Sequence, residues 1–428
     1  MSAKFHQISL KETFSECQDL FIDDAPSFFQ LLDEHLDLES FIPDSFFNAF
    51  YRSLGRKRLY PLSGFLAALI LQKIFSIPTD SLLILFLNLC KELRDFCGFH
   101  KVPDAPLFTR FKQDFLPFIE EMFHQLVDFT EPICLAIDSS LAQMLTFDTS
   151  GIELYVTENN PKTLNALIRR LKAYYKDNPE VDPYMMAYGL MPSQAASSPH
   201  AKQQYINGHF CYADKFAILT NGLGIIRHIT FLDDDFKQLH PEIPVVKKSD
   251  SPDEDKSIGD STSLKPVLSD FFALHPHFQP NPTCPKDPSL DMKYLGHCHE
   301  KGRADRDKWG CPKVHMVKGQ WVCDCTEPCS TAKKGRTTYT YENMDFRIFP
   351  GIQRDTDEWK SLYKIRTIVE RAINHFKINM CVAGRRTRNH ITTKADVFLA
   401  GIASQLTVIV AYRMNCPQYI RSLKPLAA

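Results

Sequence analysis

The stretch Tyr363-Lys-Ile-Arg366-Thr-Ile-Val-Glu370-Arg-Ala-Ile-Asn-His-Phe-Lys377 is the most informative in the chain. On a helix, with about 100° between successive residues, Tyr363, Arg366, Glu370 and Lys377 fall within roughly 60° of one another. Ile365, Ile368, Val369, Ala372, Ile373 and Phe376 take the opposite side. One helix is thus expected to bury an apolar face and present a Tyr, an Arg, a carboxylate and a Lys together. A carboxylate among cations on a rigid element suits a metal ion and a phosphodiester. The blander alternative is a solvated face on which Arg366 and Glu370 form an ordinary i,i+4 pair. With each residue type at roughly 5% usage, a given Glu gains these three partners at fixed offsets on the order of once in ten thousand.

The spacing Y-(2)-R-(3)-E-(6)-K matches, without a gap, the signature of a large group of bacterial insertion-sequence transposases of the DDE type. The chain resembles such a transposase. The resemblance implies an α/β fold, with a ribonuclease-H-like catalytic domain preceded by an all-helical N-terminal domain. It also implies three carboxylates converging on two Mg2+ (or Mn2+) ions, one activating the nucleophile and the other stabilising the leaving oxygen. Asp138 would be the first carboxylate and Glu370 the third, both as magnesium ligands. Arg366 and Lys377 would sit on DNA phosphates, and Tyr363 would help position the strand. The partners implied are inverted-repeat element ends and target DNA, bound by a homo-oligomer.

The 428 residues and 44% hydrophobic content allow a large core and two or three domains. The net charge of -1 means that DNA binding must come from local basic patches. Met1 to Asp19 mixes Lys, Glu and polar residues with no apolar run, so no signal peptide is expected there. Phe65 to Cys90 is interrupted by Lys73, Pro78 and Asp80 and predicts two buried helices, not a membrane span. Thirteen scattered cysteines fit reduced thiols. The expected setting is a bacterial cytoplasm, at the nucleoid, with no membrane partner.

Four segments are expected along the chain. Residues 1–125 predict helices throughout, and the resemblance makes them the DNA-binding domain; a plain bundle used for dimerisation has the same pattern. Residues 126–280 would begin the catalytic domain. Here Pro132-Ile-Cys-Leu-Ala-Ile-Asp138 predicts a buried strand delivering an Asp at its end, and Asn221-Gly-Leu-Gly224 predicts a turn between two strands. A helix over 263–274 follows. Residues 281–345 form a Cys-rich insert, and 346–428 complete the catalytic domain.

The second carboxylate is where the chain departs from the family's pattern. An Asp on a strand should follow the helix ending near Leu274, but the chain runs through Pro276, Pro280, Pro282, Pro285 and Pro288. Prolines at that density forbid a central strand. Neither Asp287 nor Asp291 is expected to have a strand behind it, as though a segment had been deleted. A site lacking one ligand should be impaired or dead. The alternative to a working enzyme is then a non-catalytic DNA-binding remnant. A zinc-stabilised interaction protein is a third reading.

Two further groups stand out. Cys311, Cys323, Cys325 and Cys329 could close one tetrahedral structural zinc site, with free reduced thiols as the alternative. Arg385, Arg386 and Arg388 closely follow the opening stretch and suit phosphate-backbone contacts.

Overall fold

The computed structural model describes residues 26–52, 57–206, 209–243, 258–275, 278, 282–284, 286–303, 306–341, 356–384 and 387–427. The chain divides into two compact units. The first holds residues 1–271 and 365–428, the second 272–364. Helices and strands are mixed, with one five-stranded sheet and several small ones.

The first unit opens with helices: α1 (Pro26–His35), α2 (Asp44–Phe50), α3 (Leu62–Ile74), α4 (Asp80–Leu89), α5 (Lys91–Phe96), α6 (Ala105–Asp114), α7 (Leu116–Ile137) and the short α8 (Ser139–Ala142). Starts follow local chemistry: Thr79 accepts from the Leu82 amide at α4, and Asp104 from the Leu107 amide at α6. The many phenylalanines build their core, with Phe65 and Phe111 stacked at 4.9 Å between centroids. The boundary expected near residue 125 falls inside α7.

The sheet follows, with β1 (Leu145–Glu153), α9 (Pro161–Tyr174), α10 (Pro183–Leu190), β2 (Gln194–Ala195), β3 (Ser198–Ile206), β4 (His209–Asn221) and β5 (Ile226–Phe231). Every pairing is antiparallel, with β1 along one edge of β4, and β3 and β5 along the other. The expected turn at Asn221 is present. Its side-chain oxygen accepts from the Leu223 and Ile225 amides, and Gly224 takes φ +79°. Next come α11 (Asp234–Leu239) and α12 (Asp260–Leu274), the latter where a helix was expected.

The second unit contains β6 (Thr283–Cys284), β7 (Asp287–Asp291), β8 (Lys293–Cys298), β9 (Arg306–Gly310), β10 (Val314–Val317), β11 (Gln320–Cys323), β12 (Thr337–Tyr341) and α13 (Asp357–Ile365). The strands make two hairpins and one three-stranded sheet. This corrects the expectation for Asp287 and Asp291, which lie on β7. Among the described residues the strand pairs only with the two-residue β6, where a proline costs no interior ladder bond.

The first unit closes with α14 (Thr367–Asn374), a π-turn over His375–Asn379, and α15 (His390–Arg413). Helix α15 is its central rod, packed against α3, α6, α7 and β5. It is the one helix among the described residues long and apolar enough to cross a membrane, yet 94% of its apolar window is buried inside the protein. Gly401 permits the close approach of α7, since a Cβ there would meet the Phe123 ring at 2.8 Å. The same rod carries Asp396, whose Oδ1 accepts from buried Lys73 (3.1 Å) and buried Lys112 (3.0 Å); Lys112 also reaches Asp80. A cluster of buried ions thereby ties α3, α4 and α6 to α15.

Candidate functional site

The largest correction concerns Asp138. The apolar run before it is the end of α7, not a strand, and Pro132 lies within the helix. Buried Ile119, Met122, Phe123, Leu126, Val127, Thr130, Ile133 and Cys134 continue one helical stripe through the segment. A six-residue apolar run cannot by itself separate a buried strand from a helix end, and the longer period won. Asp138 caps α8, its Oδ1 accepting from the Leu141 amide at 2.9 Å.

The strand that delivers a carboxylate is β1, one element later. Asp148 lies at its middle, with Oδ1 accepting from the Thr149 amide at 2.9 Å. Burial pushes its carboxyl above the ordinary value. The Thr149 hydrogen bond opposes the shift, the Asp260 and Glu370 charges add to it, and Arg366 offsets it. Asp148 and Glu370 therefore stand within electrostatic reach of each other, and sequence reasoning missed Asp148. Its signal was present in Leu145-Thr-Phe-Asp148-Thr-Ser-Gly-Ile-Glu153, a run of β-formers around an acid.

Glu370 lies on α14, whose buried side is Val369 and Ile373, so the expected apolar and polar faces are both present. Arg366, with helical dihedrals just before α14, pairs with Glu370 at 3.1 Å; both side chains are about half exposed. Lys377 lies in the π-turn, which widens the helix and turns this side chain onto β1. Its Nζ donates to Ser150 Oγ at 3.1 Å, two residues from Asp148. Burial holds the Lys377 ammonium below its ordinary value, against the Cys211 and Glu153 charges. Tyr363 lies in the second unit on α13, 54% exposed and stacked on Trp359. Arg388 is exposed, and its Nε donates to the Tyr155 carbonyl at 3.0 Å. Arg385 and Arg386 lie outside the described residues.

The third acid near Asp148 is Asp260, at the start of α12. It is engaged by Lys215 at 3.0 Å and by the Thr149 hydroxyl at 2.5 Å. Among the described residues, no group of three or more His, Cys, Asp or Glu side chains is arranged to hold a metal ion. The same holds for the four cysteines considered for zinc. Cys325 hydrogen-bonds Cys323, the first cause of its raised thiol value, and Cys311 adds only electrostatically. Cys329 does not join them in a metal-binding group.

A second polar cluster joins β4, the end of β5 and α15. His390 sits between Asp214 (Nδ1 to Oδ2, 3.0 Å) and Asp233 (Nε2 to Oδ2, 2.9 Å), with Lys394 also on Asp233. Burial opposes the charged imidazole, but the two aspartates raise His390 to about 9.

Residues 16–114 match the family model described as Transposase domain (DUF772). That part of the chain, which includes α1 to α6, is thus similar to transposases. No curated protein matches the chain. No solved structure matches it either.

Proposed function

We propose that the protein is a transposase of the DDE type that binds element-end DNA and whose carboxylate set falls short of what strand cleavage needs. The observation that carries this reading is Asp148 on β1 set near Glu370 and Arg366, in a chain whose residues 16–114 match a transposase domain. The succession of antiparallel β1, β4 and β5 followed by helix α12 supports a ribonuclease-H-like framework. In this reading Asp148, not Asp138, is the first carboxylate. Glu370 remains the last, held by Arg366, and Lys377 and Arg388 contact phosphates beside them. The acid between the first and last is not free to complete the set: Asp260, beside Asp148, is held by Lys215 and the Thr149 hydroxyl, and Asp287, in the second unit, pairs with Lys313 at 3.3 Å. DNA is the partner and a homo-oligomer the binding form.

The test is incubation of the purified chain with a labelled duplex carrying the element end, in Mg2+ and in Mn2+. Retained duplex with little or no nicking is expected. Robust nicking abolished by Glu370→Gln would show that the site is complete and sink the proposed shortfall.

A further inference from the structure

Between β1 and β2 the chain makes a helical hairpin, α9 and α10, whose chemistry the carboxylate site does not use. From Pro161 to Lys176 it carries Lys162, Arg169, Arg170, Lys172 and Lys176 and no acid, in a chain of net charge -1. All five cations are exposed, and none forms an ion pair among the described residues, although Lys172 donates to the Tyr184 hydroxyl of α10 at 2.7 Å. On α9, Lys162, Arg169, Arg170 and Lys172 occupy one half of the helix, while Leu164, Leu167, Ile168 and Leu171 occupy the other. Ile168 is buried, and α9 packs against α10. Tyr174, at the end of α9, is 80% exposed.

The hairpin is firmly rooted. Asn159, just before α9, donates to the Leu154 and Tyr212 carbonyls at 2.7 and 2.8 Å and accepts from the Tyr212 amide at 2.7 Å. On the return side, the Tyr212 hydroxyl donates to the Pro192 carbonyl at 2.5 Å. Cations held together on a rooted element without a neutralising acid repel one another, and a polyanion relieves that repulsion. The apolar half of α9 is turned toward the protein, so the face that carries the cations is polar and suits phosphates, while the exposed Met185, Met186 and Leu190 of α10 make a vesicle control necessary.

We propose that the α9–α10 hairpin is a DNA-gripping arm. Helix α9 lays its cationic half along the phosphates of a duplex, and Tyr174 stands at its end to stack on or wedge against a base. The arm rests on the reading of the protein as DNA-binding, but not on any catalytic residue. Fourteen residues of helix span about 21 Å, roughly six base pairs of duplex. The cations continue toward the carboxylates: Arg388 at Tyr155 and Lys377 at Ser150 lie between the arm and Asp148 along the chain's course.

The test uses the full chain, a fluorescent 30-base-pair duplex and a salt titration. Lys162→Gln/Arg169→Gln/Arg170→Gln should make the slope of log K against log salt shallower by about 2.7, and binding at 0.1 M salt on the order of a hundredfold weaker or more. Its melting temperature should stay at the wild-type value, since these three side chains are exposed and make no ion pair among the described residues, and Lys172, which holds Tyr184 of α10, is left in place. Duplex binding and slope equal to wild type would overturn the arm, as would a wild-type chain that binds no duplex. So would binding to vesicles of phosphatidylserine and phosphatidylcholine that the variant loses while its duplex binding persists. The two readings separate in the same titration: wild-type duplex binding with or without nicking leaves the arm standing, and only the arm variant's slope decides it.

Discussion

Lys377 Nζ lies 3.1 Å from Ser150 Oγ, fastening the π-turn after α14 to β1 two residues beyond Asp148. Glu370 and Asp148 come from parts of the chain more than two hundred residues apart, and this contact holds their elements in register. The ammonium is desolvated there, so it costs stability while holding a charge available for a phosphate. Lys377→Met should cost no more than about one hydrogen bond, roughly 1 kcal/mol, because the desolvation of the ammonium is relieved at the same time, while it reduces the salt slope of duplex binding by about 0.9, the worth of one phosphate contact. Thermal melts and binding titrations on the same preparation check both halves.

The two aspartates considered as first carboxylate should behave differently. Asp138→Ala removes a helix cap and should cost about 1 kcal/mol in urea denaturation, without changing duplex binding. Asp148→Asn should cost less, because its carboxylate is desolvated and faces the Asp260 and Glu370 charges. Any residual nicking detected in Mn2+ should vanish in Asp148→Asn and persist in Asp138→Ala. The reverse pattern would restore Asp138 as the reacting carboxylate.

Asp396 is the shared acceptor of two fully buried lysines, so its removal strands positive charge in the core. Asp396→Ala should destabilise the first unit by about 3–5 kcal/mol. Chemical denaturation followed by near-ultraviolet dichroism reads this directly. A loss below about 1 kcal/mol would mean that water reaches the lysines.

His390 sets a pH dependence. Its value of about 9 in the folded chain exceeds the ordinary 6.5, so the native state holds the proton more tightly than the unfolded chain. This stabilisation is full below pH 6.5 and is lost as the pH rises through about 9. The difference is worth about 3 kcal/mol. Asp233 acts in the opposite direction. His390, Lys394 and the Phe236 amide overcome its burial and hold it well below the ordinary 3.8, so its contribution is present above that value and fades in acid. Urea midpoints at pH 6, 7.5 and 9.5 should show wild type losing stability relative to His390→Gln across this range. Parallel curves would exclude the ion cluster as the cause.

Much of the candidate site was legible because it depends on short-range pattern. The apolar stripe Val369, Ile373 and Phe376 and the polar side with Arg366 and Glu370 follow from a 3.6-residue period, and both are present. The turn at Asn221 was legible because its side chain and Gly224 act within five residues. Asp138 misled because Ile133 to Ile137 is equally apolar as strand or helix. Only the continuation of the Ile119-to-Cys134 stripe into α7 decides it.

The sequence by itself determined the amphipathic helices, the hairpin turn and the one acid and two cations of the opening stretch that the first unit retains, because each is encoded within a few residues of itself. Tertiary structure alone decided which carboxylate comes within electrostatic reach of Glu370, that Lys377 turns onto Ser150, and that α15 is a buried rod and not a surface element. Those outcomes depend on pairings across the chain, such as Asp396 with Lys73 and Lys112, where burial and charge compensation are settled jointly by distant residues.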